Sequence, residues 1–139
     1  MFEVHWKGGL AFEARPPSGA TFIVDAHPES GGEGKGPTPI EALLTAVAAC
    51  SAIDVVLILA KKRQQVTAYR IEVDGARPPI GQWPRPFESI RIKHILEGPD
   101  LDPDAVARAV ELSDTKYCSV IATLRAAPAV VSEWTIENK

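Results

Sequence analysis

The chain is 139 residues long, 45% hydrophobic, with a formal net charge of -3 and a pI near 5.6. That length suits one domain able to bury roughly two thirds of the surface its unfolded chain exposes, so no disulfide or metal is required to hold it together. The mildly acidic balance, with no long basic stretch, argues against nucleic acid as a partner.

The start, MFEVHWKGG, alternates like a strand and lacks the apolar run of a signal peptide. We therefore expect a cytoplasmic protein whose cysteines stay reduced. Phe2 to Lys7 and Leu10 to Ala14 read as two strands around the hairpin signal Gly8-Gly9, and Thr21 to Val24 as a third after the turn Pro16-Pro17-Ser18-Gly19. His27 to Gly36 is a Gly-rich loop without the spacing of a phosphate cradle.

A long helix follows, from Thr38 to Arg63. Of the 21 residues Ile40 to Ala60, 17 are apolar, the exceptions being Glu41, Thr45, Ser51 and Asp54. Thr38 as cap, Pro39 at the first helical position and Glu41 three residues after the cap form a capping box, and Lys61, Lys62 and Arg63 suit the other end of the helix dipole. The length would admit a membrane span, but Glu41, Asp54 and the many alanines favour a core helix, and no membrane partner is expected.

Val66 to Asp74 alternates as a half-buried strand, and Phe87 to Glu97 is its successor, with Ile90, Ile92, His94 and Leu96 on one face. The Pro-rich connection Arg77 to Pro86 runs on the surface. Asp102 caps a second helix that opens at Pro103 and continues to about Asp114. Lys116 to Ala127 is a short helical segment, and Ala129 to Ile136 a last strand. The pattern is α+β in a single domain: N-terminal strands and loop over 1–37, the central helix over 38–63, and strands, second helix and last strand over 66–139. A helix apolar on every side needs cover on every side, which so few other elements supply. We expect a homodimer with the long helices packed together.

Two cysteines, Cys50 and Cys118, stand 68 positions apart. Both suit a role as small buried hydrophobes, and both suit thiol chemistry. Cys50 lies mid-helix, where the helix terminus gives no help, so a reactive Cys50 needs another group to activate it. His5, His27 and His94 do not combine with the cysteines in any zinc spacing. No metal and no cofactor are expected.

The stretches GPTPIEALLTAVAACSAIDVVLIL and VARAVELSDTKYCSV resemble the two cysteine motifs of the OsmC/Ohr family of thiol peroxidases, most closely its YhfA-like branch, and the resemblance covers nearly the whole chain. It implies an OsmC-like fold, an antiparallel sheet wrapped around central helices in an intertwined homodimer. It also implies an organic hydroperoxide as substrate, Cys50 as the peroxidatic and Cys118 as the resolving residue, and a thiol reductant to complete the cycle.

Two departures qualify it. The family's activating Arg is held by a Glu ten residues before the cysteine, which here is Ile40. Glu41, one residue later, lies about 180° around the helix from Cys50, so its reading as a capping residue competes with a catalytic one. Arg15 is the sole Arg of the N-terminal strands, two residues from the family's position, near Glu13, and on the same strand face. Asp54, one turn after Cys50, suits a hydrogen bond within the site, although a carboxylate beside a thiol opposes its ionisation. The candidate catalytic residues are thus Cys50, Cys118, Arg15 and Glu41. The alternative to a peroxidase in oxidative-stress defence is a redox-responsive or ligand-binding dimer with little peroxidase activity, and a third reading is a structural protein with inert thiols.

Overall fold

The computed structural model describes residues 1–137, and its elements run β1 (Glu3–Trp6), β2 (Phe12–Arg15), β3 (Phe22–Val24), a short 3-10 turn (Pro28–Ser30), α1 (Pro39–Lys61), β4 (Ala68–Ala76), β5 (Ser89–Glu97), α2 (Pro103–Leu112), a π turn (Ser113–Tyr117) and α3 (Ser119–Ala126). These form an α+β fold, as expected. The chain divides into two compact units, Met1–Ala49 with Tyr69–Leu96, and Cys50–Ala68 with Glu97–Lys139, and the division falls within α1.

In the first unit β1, β2 and β3 make an antiparallel sheet in that order, with Val4 opposite Ala14 and Phe12 opposite Val24. Gly8 and Gly9 turn the first hairpin at φ values of 92° and 56°, a region that disfavours side chains, and Lys7 N–H closes it onto the Ala11 carbonyl at 2.9 Å. Gly19 N–H to the Pro16 carbonyl, 2.9 Å, closes the second. Both turns sit where the Gly and Pro residues predicted them.

The Gly-rich loop has an unexpected organiser. Asp25 is 2% exposed, and its carboxylate accepts the N–H groups of Ala26 at 2.7 Å, Glu33 at 3.1 Å and Lys35 at 3.2 Å. The loop amides that a phosphate cradle would offer to a ligand are thus taken by a side chain of the same chain. The Lys35 N–H, more than any other group, holds this carboxyl below its ordinary range.

The β4 and β5 strands pair as a hairpin. The Tyr69 hydroxyl meets His94 Nδ1 at 2.6 Å, and burial pushes the phenol up to about 12, so Tyr69 stays protonated at neutral pH. His94 is therefore a satisfied strand histidine, as read from the sequence. The Pro-rich connection is braced by Arg77 Nε to the Arg85 carbonyl, 2.8 Å, and Arg85 Nε to the Pro78 carbonyl, 2.9 Å, and leaves Trp83 exposed.

The capping box of α1 is present. Thr38 N–H donates to Glu41 Oε1 at 2.9 Å, and Glu41 N–H to Thr38 Oγ1 at 3.2 Å. The helix contributes to both buried sets: Val47 and Ala48 join Ala11 and Ala14 in the first unit, while Ser51, Val55 and Leu59 join Ala105, Ala109, Cys118 and Ile121 in the second. The opposite face stays open. Ala46, Ala49, Ile53, Val56, Leu57 and Ala60 recur at helical spacing and are all exposed, and 28% of the helix's most apolar stretch is buried. By length and composition alone α1 also passes for a membrane span.

Two expectations change in the second half of the chain. The second helix ends at Leu112 and gives way to the π turn, because the Cys118 N–H reaches back five residues to the Ser113 carbonyl at 2.9 Å. The last strand, Ala129 to Ile136, does not form: residues 127–137 have no helix or strand, and Trp134 is 84% exposed. A strand needs a neighbouring edge for its N–H and C=O groups, and this stretch pairs with none of the described residues.

Because the folded state holds the Asp25 carboxyl below its unfolded value, its stabilisation is complete above about pH 4 and is lost as pH falls through the folded value. Asp25→Ala is expected to lower the melting temperature at pH 7 by several degrees. The gap to wild type should narrow toward pH 3, a trend that thermal denaturation monitored by circular dichroism checks directly.

Candidate thiol site

Both cysteines lie in the second unit, brought there by different elements. Cys50 sits in the middle of α1 and is half-buried, whereas Cys118 ends the π turn and is 4% exposed. Both are free thiols, and they stand close enough that Cys50 acts on the ionisation of Cys118. The 67 intervening residues thus return the second thiol to the first.

Cys118 is also the N-cap of α3. Its backbone is extended, with φ -74° and ψ 103°, and its sulfur accepts the Ile121 N–H at 3.4 Å. Burial pushes the Cys118 thiol up, the neighbouring Cys50 pushes it the same way, and the Ile121 and Val120 N–H groups oppose them without prevailing. Cys118 therefore holds its proton at neutral pH.

A polar cluster lies beside the pair. Ser113 is wholly buried, and its Oγ lies 2.8 Å from Asp54 Oδ2, 3.2 Å from Ser51 Oγ and 3.4 Å from the Ser51 carbonyl. Ser51 directly follows Cys50, and Asp54 stands one turn beyond it. Asp54 is thus hydrogen-bonded within the site. Ser113 and Ser51 escaped the sequence reading, although a serine in the midst of an apolar helix and another five residues before a cysteine are visible signals once a π turn is considered.

The remaining candidates are otherwise engaged. Glu41 is committed to the capping box, which holds its carboxyl below the ordinary range through the Thr38 N–H. Arg15, at the end of β2 in the first unit, donates from Nε to Glu13 Oε1 at 2.8 Å. His5, His27 and His94 lie in the first unit and the cysteines in the second, so the zinc grouping considered from composition does not assemble within either unit.

A family model described as OsmC-like protein matches residues 32–133. The protein YhfA of Escherichia coli is 40% identical over 133 residues, spanning 96% of this chain and 95% of its own. Among solved structures, a hypothetical protein from Aquifex aeolicus is 33% identical with a TM-score of 0.76, covering 91% of this chain and 87% of its own. A Legionella pneumophila protein described as an organic hydroperoxide resistance protein shares the fold at 14% identity, with a TM-score of 0.65 over 90% of this chain and 88% of its own.

Iodoacetamide at slightly alkaline pH is expected to modify Cys50 well before Cys118, since Cys118 is buried and keeps its proton. Peptide mass spectrometry of timed samples measures the order of labelling.

Proposed function

Since this chain belongs to the OsmC-like family, we propose that it is a thiol-dependent peroxidase that reduces organic hydroperoxides in the cytoplasm as part of oxidative-stress defence. The observation that carries this reading is the nearness of Cys50 to Cys118, close enough for one thiol to act on the other. The Cys50 thiolate attacks the terminal peroxide oxygen: the O–O bond breaks, an S–O bond forms, and the alkoxide takes a proton to leave as the alcohol. Cys118 then attacks the Cys50 sulfenic acid. An S–S bond forms, the S–O bond breaks, and the departing hydroxide takes the Cys118 proton as water. A cellular thiol reductant supplies two electrons to restore the dithiol.

The more accessible Cys50 suits the attacking role and the buried, protonated Cys118 the resolving one. The activating cation in this reading is Arg15, released from Glu13. Glu41 is assigned to the helix cap. In an assay with cumene hydroperoxide and a dithiol reductant, wild type consumes peroxide, Cys50→Ser abolishes turnover, and Arg15→Ala lowers kcat/KM by roughly a hundredfold. Wild type without turnover on any hydroperoxide would overturn the reading in favour of a redox-responsive dimer.

We further infer a homodimer. The open stripe of α1 and the exposed Val130, Val131, Trp134 and Ile136 are more apolar surface than a monomer ordinarily leaves in water. Sedimentation should give twice the 15.0 kDa chain mass, and Leu57→Glu, in the centre of the stripe, should shift the protein toward monomer. A wild type that sediments as a monomer at micromolar concentration excludes this assembly.

A further inference from the structure

Ser113 ties the Cys118 backbone to the helix that carries Cys50. Its carbonyl receives the Cys118 N–H at 2.9 Å, and its hydroxyl reaches Asp54 Oδ2 on α1 at 2.8 Å. A hydroxyl has one proton to give, and the carboxylate contact is shorter than those to Ser51 at 3.2 and 3.4 Å, so the proton goes to Asp54. The far side of the π turn has its own brace, Arg125 Nη1 to the Asp114 carbonyl at 2.7 Å and Nη2 to Asp114 Oδ1 at 3.2 Å, which leads to α3 and not to α1.

We propose that Asp54 is a positioning residue for disulfide closure: through the Ser113 hydroxyl it holds the π turn against α1 so that Cys118 stays within reach of Cys50. A π turn admits one residue more than an α-helical turn and is a recurrent feature of functional sites. Here that extra residue lets the chain leave the helix at Cys118 while its sulfur faces Cys50. With Asp54 removed, the Ser113 hydroxyl keeps only its longer contacts to Ser51 on α1, while the Arg125 brace still joins the turn to α3. The sulfenic acid on Cys50 then waits longer for Cys118, and further oxidation by peroxide competes with the condensation that expels water.

This role rests on the proposed peroxidase reading for its benefit, but not for its measurement. The equilibrium between the Cys50–Cys118 dithiol and disulfide is measured on the full chain in dithiothreitol redox buffers, without peroxide, for wild type, Asp54→Ala, Asp54→Asn and Ser113→Ala. Asp54→Ala and Ser113→Ala are expected to lower the disulfide's equilibrium constant roughly tenfold, a shift of about 30 mV. Asp54→Asn, whose side-chain oxygen still accepts from Ser113, should recover most of that loss. A second arm adds cumene hydroperoxide and reads the ratio of intramolecular disulfide to over-oxidised Cys50 by mass spectrometry, expected to fall severalfold in Asp54→Ala and Ser113→Ala. Folding is followed by circular dichroism, and because Ser113→Ala removes one buried atom, it carries the test should Asp54→Ala not fold. A potential in folded Ser113→Ala equal to that of wild type, or a wild type that forms no disulfide in the redox buffer, overturns the inference. Disulfide formation in the buffer without reaction toward hydroperoxide overturns the peroxidase reading alone.

Discussion

The structure depends on one helix that is apolar all round yet covered on one side. Along α1 the same sequence run supplies Val47 and Ala48 to the buried set of the first unit and Ser51, Val55 and Leu59 to that of the second. A helix with a single apolar stripe could serve both sets along its length but would not also present an opposite face of Ile53, Val56 and Leu57. The capping box at Thr38 and Glu41 fixes where this helix begins, and therefore where Cys50 stands along it.

The site shows how a small number of polar groups set up thiol chemistry in apolar surroundings. Buried polar atoms are costly unless bonded, and the Ser113 hydroxyl meets this need through Ser51 and Asp54. Their cluster joins two segments far apart in sequence, and the thiols sit at its edge. The contrast between the two sulfurs is environmental: Cys118 is buried as an N-cap and loses its proton reluctantly, while Cys50 is the more accessible of the two. In the proposed cycle that contrast divides the labour between attack and resolution. The Gly-rich loop illustrates the opposite outcome, since Asp25 consumes the amides that would have made it a binding loop.

Much of this was legible in the amino-acid order because it rests on local rules. The glycines at 8 and 9, the prolines and Gly19 of the second turn, the Thr38 cap, the Asp102 cap and the alternation of β4 and β5 each express a preference that operates within a few residues. The family was legible too, because the two cysteine stretches are long and specific. What the tertiary structure alone decided is what depends on contacts across long separations. The meeting of Cys50 with Cys118, the burial of Ser113 against Asp54, the closure of the glycine loop on Asp25 and the absence of a strand at 129–136 all depend on partners that no local pattern encodes. Turns and caps are satisfied by near neighbours, whereas a thiol pair, a buried hydroxyl or a strand edge is satisfied only by whatever the rest of the fold brings to it.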